Sequence, residues 1–282
     1  MKKINIVKAI LMLAVILINL TVGACTHPHN FEYTVIQEAT STTDGLMHAK
    51  CNCGRKENII LPAGSTHYFA NGFCVMCKRA VALAKYGTTL TVDASKLYNN
   101  NNADDNYLNV GVLDSWEPFG AEINLCNTLY FEPGASGSIV ITFEGVPEVS
   151  LGLDVKLPSL TDEFSEMHLG DYYPIVWSAS GSDISTPITG RLKDVILALG
   201  SPIGAVNPNQ EIKRTYTLTW SWPLSNSVEA DAYDTAIGYK LIGSSYDSII
   251  GERVKEFVSE QDYNQMVIET KFDLIVYCSQ IA

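Results

Sequence analysis

Hydrophobic and polar residues alternate with a period of two along much of the chain, which is the pattern of β-strands that bury one face. The clearest run covers residues 214–222, where Tyr216, Leu218 and Trp220 alternate with threonine. Further strands are predicted at 31–36, 45–51, 57–61, 88–92, 107–113, 125–131, 138–143, 149–155 and 267–281. Glycine, proline and asparagine separate these segments, as expected for turns. The pattern therefore predicts a mostly β protein with antiparallel strands.

Two segments depart from this alternation and have helical spacing. Residues 192–199 carry apolar side chains at i, i+3, i+4 and i+7, and Gly200 follows as a helix stop. A second helix is predicted at 249–260. Many short strands interrupted by few helices favour a β-sandwich with short helical insertions.

The first 24 residues have the three parts of a secretory signal peptide. Lys2, Lys3 and Lys8 give a positive start, a short apolar run follows, and small residues lead to Ala24. The apolar run is too short for a membrane-spanning helix, which needs about 20 such residues. We therefore expect residues 1–24 to be removed and the mature chain to work outside the cell membrane.

Cys25 follows these small residues directly. The segment Val22-Gly23-Ala24-Cys25 resembles a bacterial lipobox, in which the cysteine sulfur receives a diacylglycerol. Ordinary cleavage after Ala24 would fit the same residues, so both outcomes stay open. In either outcome the chain reaches a membrane only through its signal peptide or through a lipid anchor on Cys25.

The composition narrows the class of protein and its partners. The 282 residues are 46% hydrophobic and 18% charged, which favours a packed core over global disorder. The formal net charge of -12 makes nucleic acid and anionic membrane surfaces poor partners. The expected partners are further copies of the chain or other surface proteins.

Cysteine and histidine are concentrated near the N-terminus, where five of the seven cysteines and four of the five histidines precede residue 78. This uneven distribution predicts a small Cys/His module at 25–83 and a larger β-sandwich domain at 84–282. A module of that size usually needs a metal ion or disulfides to fold. The remaining cysteines, Cys126 and Cys278, lie in predicted strands and could form a disulfide or stay as buried thiols.

The small module contains two closely spaced cysteine pairs. Such pairs can offer four thiolates to one tetrahedral zinc ion, and a histidine can replace one of them. The predicted ligands are Cys51, Cys53, Cys74, Cys77 and His67, with His27 and His29 as alternatives to His67. Disulfides or free thiols are the other interpretations for an exported protein. Zinc here would be structural, because the chain has no His-Glu-x-x-His segment of a catalytic site.

This module resembles a zinc-knuckle-like module found in secreted proteins of Gram-positive anaerobes. The match lies in Cys25-Thr26-His27, in Cys51-Asn52-Cys53-Gly54, and in His67 followed by Cys74 and Cys77. The resemblance implies an extracellular or cell-surface protein of a Gram-positive-like exporter, and it implies no catalytic role for the module.

The larger domain resembles the camelysin/TasA-like family of exported proteins over about residues 105–282. The match lies in the tryptophan-rich segment 216–223, in the Asp-Thr-x-x-Gly segment 234–238, and in Phe131-Glu132-Pro133-Gly134. The resemblance implies a jelly-roll-like sandwich, export, and in several members assembly into matrix fibres. Some members are named metallopeptidases, an activity that no zincin motif in this chain supports.

One aromatic feature and one acidic feature of the sequence each have two interpretations. Trp220 and Trp222 could form a sugar-stacking platform or pack in the core, and their alternation with apolar residues favours the core. Asp231, Asp234 and Thr235 could bind calcium through oxygen ligands, but capping of a turn is the commoner use of such residues. Calcium is therefore a weaker expectation than zinc.

Three classes of function follow from these features. The first is an exported cell-surface or extracellular-matrix structural protein, in one version fibre-forming as in a biofilm matrix. The second is a surface adhesin or carbohydrate-binding module, and the third is a metallopeptidase of the camelysin type. We expect a non-enzymatic role, because no catalytic residues can be named from the sequence.

Overall fold

The structure is a computed structural model that describes residues 31–64, 67–97, 108–114, 119–125, 133–157, 174–224, 227–249, 252–266 and 272–281. The predicted signal peptide, Cys25, His27, His29 and Cys126 lie outside these residues, as does most of the predicted strand 125–131. Within the described part of the chain, no helix is both long and apolar enough to cross a membrane.

The chain divides into two compact units, Met1–Thr66 and His67–Ala282. The predicted boundary between residues 83 and 84 is wrong, because it divides a strand of the second unit, β6. That strand (Ala80–Lys85) forms a hairpin with β7 (Thr88–Asp93), so its pairing holds both sides of the predicted boundary together. The second cysteine pair therefore belongs to the sandwich unit and not to the small N-terminal module.

The described residues of the first unit, 31–64, contain three antiparallel strands in the order β1-β2-β3, namely β1 (Phe31–Gln37), β2 (Gly45–Cys51) and β3 (Lys56–Leu61). The central strand alternates strictly, and its Met47, Ala49 and Cys51 are buried while His48 and Lys50 are exposed. This one-sided burial is what the period-two pattern predicted, and all three strands are confirmed.

The described part of the second unit forms two antiparallel sheets. The larger sheet has eight strands in the order β13-β12-β14-β10-β7-β6-β5-β4, and the smaller has four in the order β11-β15-β9-β8. Besides β6 and β7, the strands of these two sheets are β4 (Phe69–Ala70), β5 (Phe73–Cys74), β8 (Leu108–Asp114), β9 (Phe119–Leu125), β10 (Ser136–Gly145), β11 (Leu151–Lys156), β12 (Val176–Gly181), β13 (Ile184–Gly190), β14 (Ile212–Ser221) and β15 (Phe272–Gln280).

Buried apolar side chains of both sheets form one core. Leu90 and Ile141 come from the larger sheet, while Ile123, Leu153 and Leu274 come from the smaller one, and all five are fully buried. Since one core joins the inner faces of two sheets, the unit is a sandwich. The predicted class, a mostly β antiparallel sandwich with short helical insertions, is confirmed.

The tryptophans of β14 belong to this core, as the alternation predicted. Trp220 is 2% exposed, lies opposite Trp177 of β12, and donates its indole Nε1–H to the carbonyl of Leu97 at 2.8 Å. A Cβ atom at Gly137 would lie 1.7 Å from that same carbonyl oxygen, so only glycine fits beside it. Trp222 is 3% exposed. A sugar-stacking platform is therefore excluded for both indoles.

The helices among the described residues are α1 (Leu192–Leu199), α2 (Val228–Leu241), α3 (Glu252–Phe257) and α4 (Glu260–Gln265), with a short 3-10 turn at Tyr246–Ser248. The first is confirmed, with Gly200 directly after it. The predicted helix at 249–260 is instead divided between α3 and the start of α4. Ser259 begins α4 by accepting the backbone N–H of Asp262, which explains the division.

Helix α2 corrects the prediction that Asp231, Asp234 and Thr235 cap a turn, since all three lie within it. Asp234 Oδ1 accepts the indole N–H of Trp222 at 2.7 Å, and Thr235 donates its hydroxyl to the carbonyl of Asp231 at 2.7 Å. The sequence signal for this helix was Ser227, whose side chain accepts the backbone N–H of Ala230.

Candidate metal centre

The second cysteine pair lies where a very short hairpin joins the edge of the eight-stranded sheet. Strands β4 and β5 have two residues each, and Asn71 and Gly72 between them have φ angles of 53° and 85°. Asn-Gly with two positive φ angles is the sequence signature of a tight two-residue hairpin turn. The hairpin is joined to β6 through the pair Phe73↔Val81 and through Ala82 N–H, which donates to Gly72 O at 2.8 Å.

The turn after β5 brings the two cysteines together. Cys74 ends β5, and the backbone N–H groups of Cys77 and Lys78 return to the Sγ and carbonyl of Cys74 at 3.5 and 2.9 Å. Lys78 has a φ angle of 55°, in the left-handed region. This backbone turn directs both thiol groups to the same side, as a Cys-x-x-Cys metal knuckle requires.

His67 completes the group from the start of the second unit. Its Nδ1 lies 3.3 Å from Cys74 Sγ and 3.5 Å from Cys77 Sγ. The ligand atoms of the three residues all lie within 4.8 Å of one another. Two sulfurs and one imidazole nitrogen at these separations can be bridged by a single ion, so His67, Cys74 and Cys77 form a group that could bind a metal ion.

Asp93 lies behind the histidine, and sequence reasoning missed it. Its Oδ2 is 2.6 Å from His67 Nε2, and its Oδ1 accepts the backbone N–H of Ser95 at 2.9 Å. Asp93 is the last residue of β7. Residues 67 and 93 meet only because β6 and β7 pair, and no local spacing in the sequence indicates this contact.

Hydrogen bonds within the group shift the pKa values of its members. The bonds to Asp93 and Cys74 raise the pKa of His67 to about 9. Burial works to raise the pKa of Asp93, but the bonds from His67 and Ser95 lower it overall. Without a bound metal ion, His67 therefore favours its protonated imidazolium form, between the carboxylate of Asp93 and the two cysteines.

The thiol groups of Cys74 and Cys77 lose their protons as a linked pair. Their mutual hydrogen bond lowers the pKa of Cys74, helped by the bond from His67, and it raises the pKa of Cys77, as does burial. One proton thus leaves the pair easily and the second is held tightly. A metal ion that binds both sulfurs must displace this second proton.

Three of the five predicted ligands, His67, Cys74 and Cys77, are brought together. Cys51 and Cys53 belong to the first unit, at the buried end of β2 and in the exposed turn that follows it. Their role as ligands stays a prediction. Cys74 and Cys77 are free thiols in the structure, and disulfide formation by the cysteines of the chain stays the alternative interpretation.

Cys278, on β15, is a free and fully buried thiol. Burial, followed by the charge of Asp154, raises its pKa well above the ordinary range. Buried thiols of this kind are usually unreactive structural residues. Its packing in the core is therefore sufficient to explain it.

The comparisons with known proteins identify no relative. No protein-family model matches the chain, and no curated protein or solved structure is significantly similar to it. The resemblance to the camelysin/TasA-like family therefore stays a prediction, and functional inference depends on the residues themselves.

Proposed function

We propose that the chain is an exported structural protein of the cell surface or extracellular matrix, whose sandwich is stabilised at one edge by a structural zinc ion. The observation that carries this proposal is the convergence of His67 Nδ1 with the sulfurs of Cys74 and Cys77 within 4.8 Å. Thiolate and imidazole are the usual ligands of structural zinc, and soft ligands disfavour magnesium and calcium.

The position of the group supports a structural role for the ion. Strands β4 and β5 have only two residues each and end the eight-stranded sheet. So short a hairpin buries little apolar area and forms few hydrogen bonds, so it is marginal without another tie. Zinc bound by His67, Cys74 and Cys77 would hold the chain before and after the hairpin together, and binding free energy would become folding free energy.

The surface role is supported by the sequence features that precede the sandwich and by its charge. A signal peptide at 1–24 and a lipobox-like Cys25 favour export, either released or lipid-anchored. A net charge of -12 keeps such a protein soluble and disfavours nucleic acid. The expected partners are further copies of the chain or other surface proteins, with fibre formation as one version.

Elemental analysis of the purified full chain tests the zinc proposal. We expect about one zinc per chain after dialysis against a weak chelator, with loss of zinc accompanied by a lower melting temperature. A zinc content near zero, with the cysteines oxidised, would contradict it. Calcium measured in the same samples tests the weaker expectation for that ion.

Location and assembly are tested separately. We expect the mature chain in the culture medium or on the cell surface, with an intact mass that shows either a free or an acylated Cys25. Recovery from the cytoplasm with residues 1–24 intact would contradict export. Electron microscopy of concentrated protein tests the fibre version, and persistent monomers would count against it.

A further inference from the structure

The side of His67 that faces away from the cysteines contacts a carboxylate from a different part of the sheet. Nδ1 faces both sulfurs, at 3.3 and 3.5 Å, while Nε2 lies 2.6 Å from Asp93 Oδ2. We propose that Asp93 is a positioning residue of the metal centre, which selects Nδ1 of His67 as the ligand atom and joins the ion to an interior strand of the eight-stranded sheet. This inference rests on the proposed zinc site and extends it.

The position of the proton on the imidazole decides which nitrogen of His67 can bind a metal ion. A neutral imidazole carries one N–H, and a metal ion needs the lone pair of the other nitrogen. An ionised carboxylate can only accept, so Asp93 keeps the proton on Nε2, and the proton that leaves when a metal ion binds is the one on Nδ1. The lone pair of Nδ1 then faces Cys74 and Cys77. A carboxylate behind a metal-bound histidine also makes the imidazole more basic and fixes the plane of its ring.

Asp93 is held firmly through both its carboxylate and its backbone. Its two oxygens have different partners, because Oδ1 accepts the Ser95 N–H at 2.9 Å while Oδ2 is bonded to His67. The backbone of Asp93 is paired on one side with Ala80 of β6 and on the other with Val140 of β10. Its carboxylate therefore cannot rotate freely, and His67 is positioned against a rigid partner.

The contact between His67 and Asp93 connects two different parts of the eight-stranded sheet. Cys74 and Cys77 lie at the edge hairpin, whereas β7 lies inside the eight-stranded sheet between β6 and β10. The chain of contacts from the sulfurs through His67 to Asp93 thus extends from the sheet edge to an interior strand. Metal affinity should therefore depend on the folded sheet, and the bound metal should stabilise that sheet.

The test compares Asp93→Asn with Glu144→Gln in the full-length protein. Each variant removes one negative charge, and Glu144 lies on β10, where it forms an exposed ion pair with Lys213 at 3.3 Å. Competition with a chromophoric chelator should show zinc affinity about 10- to 100-fold weaker for Asp93→Asn. Glu144→Gln should bind as the wild type does, and an equal loss in both variants would assign the effect to charge alone.

A second measurement needs no substitution. In zinc-loaded protein labelled with nitrogen-15 at histidine, the His67 resonances should show Nδ1 bound to the metal and a proton on Nε2. Zinc bound through Nε2 would overturn the inference, as would a folded Asp93→Asn variant with wild-type affinity. Failure of the proposed zinc site itself is distinguishable, because the wild-type protein would then bind no zinc in either measurement.

Discussion

The two cysteine pairs lie in hairpins that look similar in the sequence but differ in geometry. In the first unit, Cys51 points into the buried face at the end of β2, while Cys53 is exposed in the following turn. In the second unit, Cys74 and Cys77 point to one side of their turn and meet His67. The pairs therefore share a residue type but not an arrangement.

The difference shows how spacing and backbone conformation together bring two cysteine sulfurs close enough to bind one metal ion. With two residues between the cysteines and Lys78 in the left-handed region, the Cys77 N–H reaches Cys74 Sγ and the sulfurs converge. With one residue between them, Cys51 still belongs to the strand and Cys53 already belongs to the turn. The side chains of the first pair consequently have different environments.

The largest effect is expected from removal of one ligand. Cys77→Ser should lose the stabilisation that zinc provides, which is about 4 kcal/mol at a free zinc concentration about 1,000 times its Kd. The matched change Cys53→Ser should leave zinc content and melting temperature unchanged. Both are measured by elemental analysis and thermal unfolding, and equal zinc loss in the two variants would show that the first hairpin contributes to the site.

The pH dependence of zinc affinity should be the next largest effect. At pH 7 the pKa of about 9 keeps His67 protonated, and the raised pKa of Cys77 keeps its thiol protonated, whereas Cys74 is ionised. Zinc should therefore displace about two protons, and its affinity should rise about 100-fold per pH unit near neutrality.

Calorimetry in buffers of different ionisation enthalpy measures this proton release directly. The double variant Cys51→Ser/Cys53→Ser serves as the control and should release the same number of protons. An affinity that does not change with pH would contradict the assignment of His67 and Cys77 as ligands.

A smaller effect is expected from the turn glycines of the two hairpins. Gly72 and Gly54 have φ angles of 85° and 90°, so alanine should cost about 1–2 kcal/mol at either position. Only Gly72→Ala should also weaken zinc binding, because it distorts the turn before Cys74. Thermal unfolding with and without zinc would separate the two costs, and a loss of zinc affinity in Gly54→Ala would remove the contrast.

The smallest effect is expected at a carboxylate outside the centre. Burial raises the pKa of Asp234, so the folded protein binds this proton more readily than the unfolded chain does. Above the pKa of Asp234, its ionised carboxylate therefore destabilises the folded state. This destabilisation is lost as the pH falls through that pKa. Asp234→Asn should change stability at pH 7 by less than about 0.5 kcal/mol, and zinc content not at all.

The free energy of unfolding of the wild type and of Asp234→Asn, measured from pH 7 to pH 4, checks the sign of this effect. The wild type should gain stability relative to Asp234→Asn as the pH falls. A relative loss on acidification would show that the carboxylate is stabilising when ionised, contrary to the direction of its pKa shift.

Much of the fold was predictable because the period-two pattern is strong where one strand face is buried. The strand predicted at residues 45–51 coincides with β2, and the strand predicted at residues 88–92 omits only the last residue of β7. Strands β12 and β13 were missed, because their serine, threonine and glycine residues give no clear alternation of apolar side chains. Helix α2 was missed because small alanines provide much of its buried surface.

The site was predictable only in part. Cys-x-x-Cys is a local signal, so Cys74 and Cys77 were identified from spacing, and His67 from its proximity to them. Asp93 is separated from His67 by 26 residues, and only the pairing of β6 with β7 brings it there. The module boundary was misplaced for the same reason, since cysteine distribution carries no information about which strands pair.

The composition of the metal's first coordination shell tests the central claim most directly. X-ray absorption spectroscopy of the zinc-loaded full chain should show two sulfur atoms at about 2.3 Å and at least one nitrogen at about 2.0 Å. That result would match Cys74, Cys77 and His67. A shell of four sulfurs would show that the two hairpins share one ion, and a shell without sulfur would show that the convergence of these three residues does not serve to bind metal.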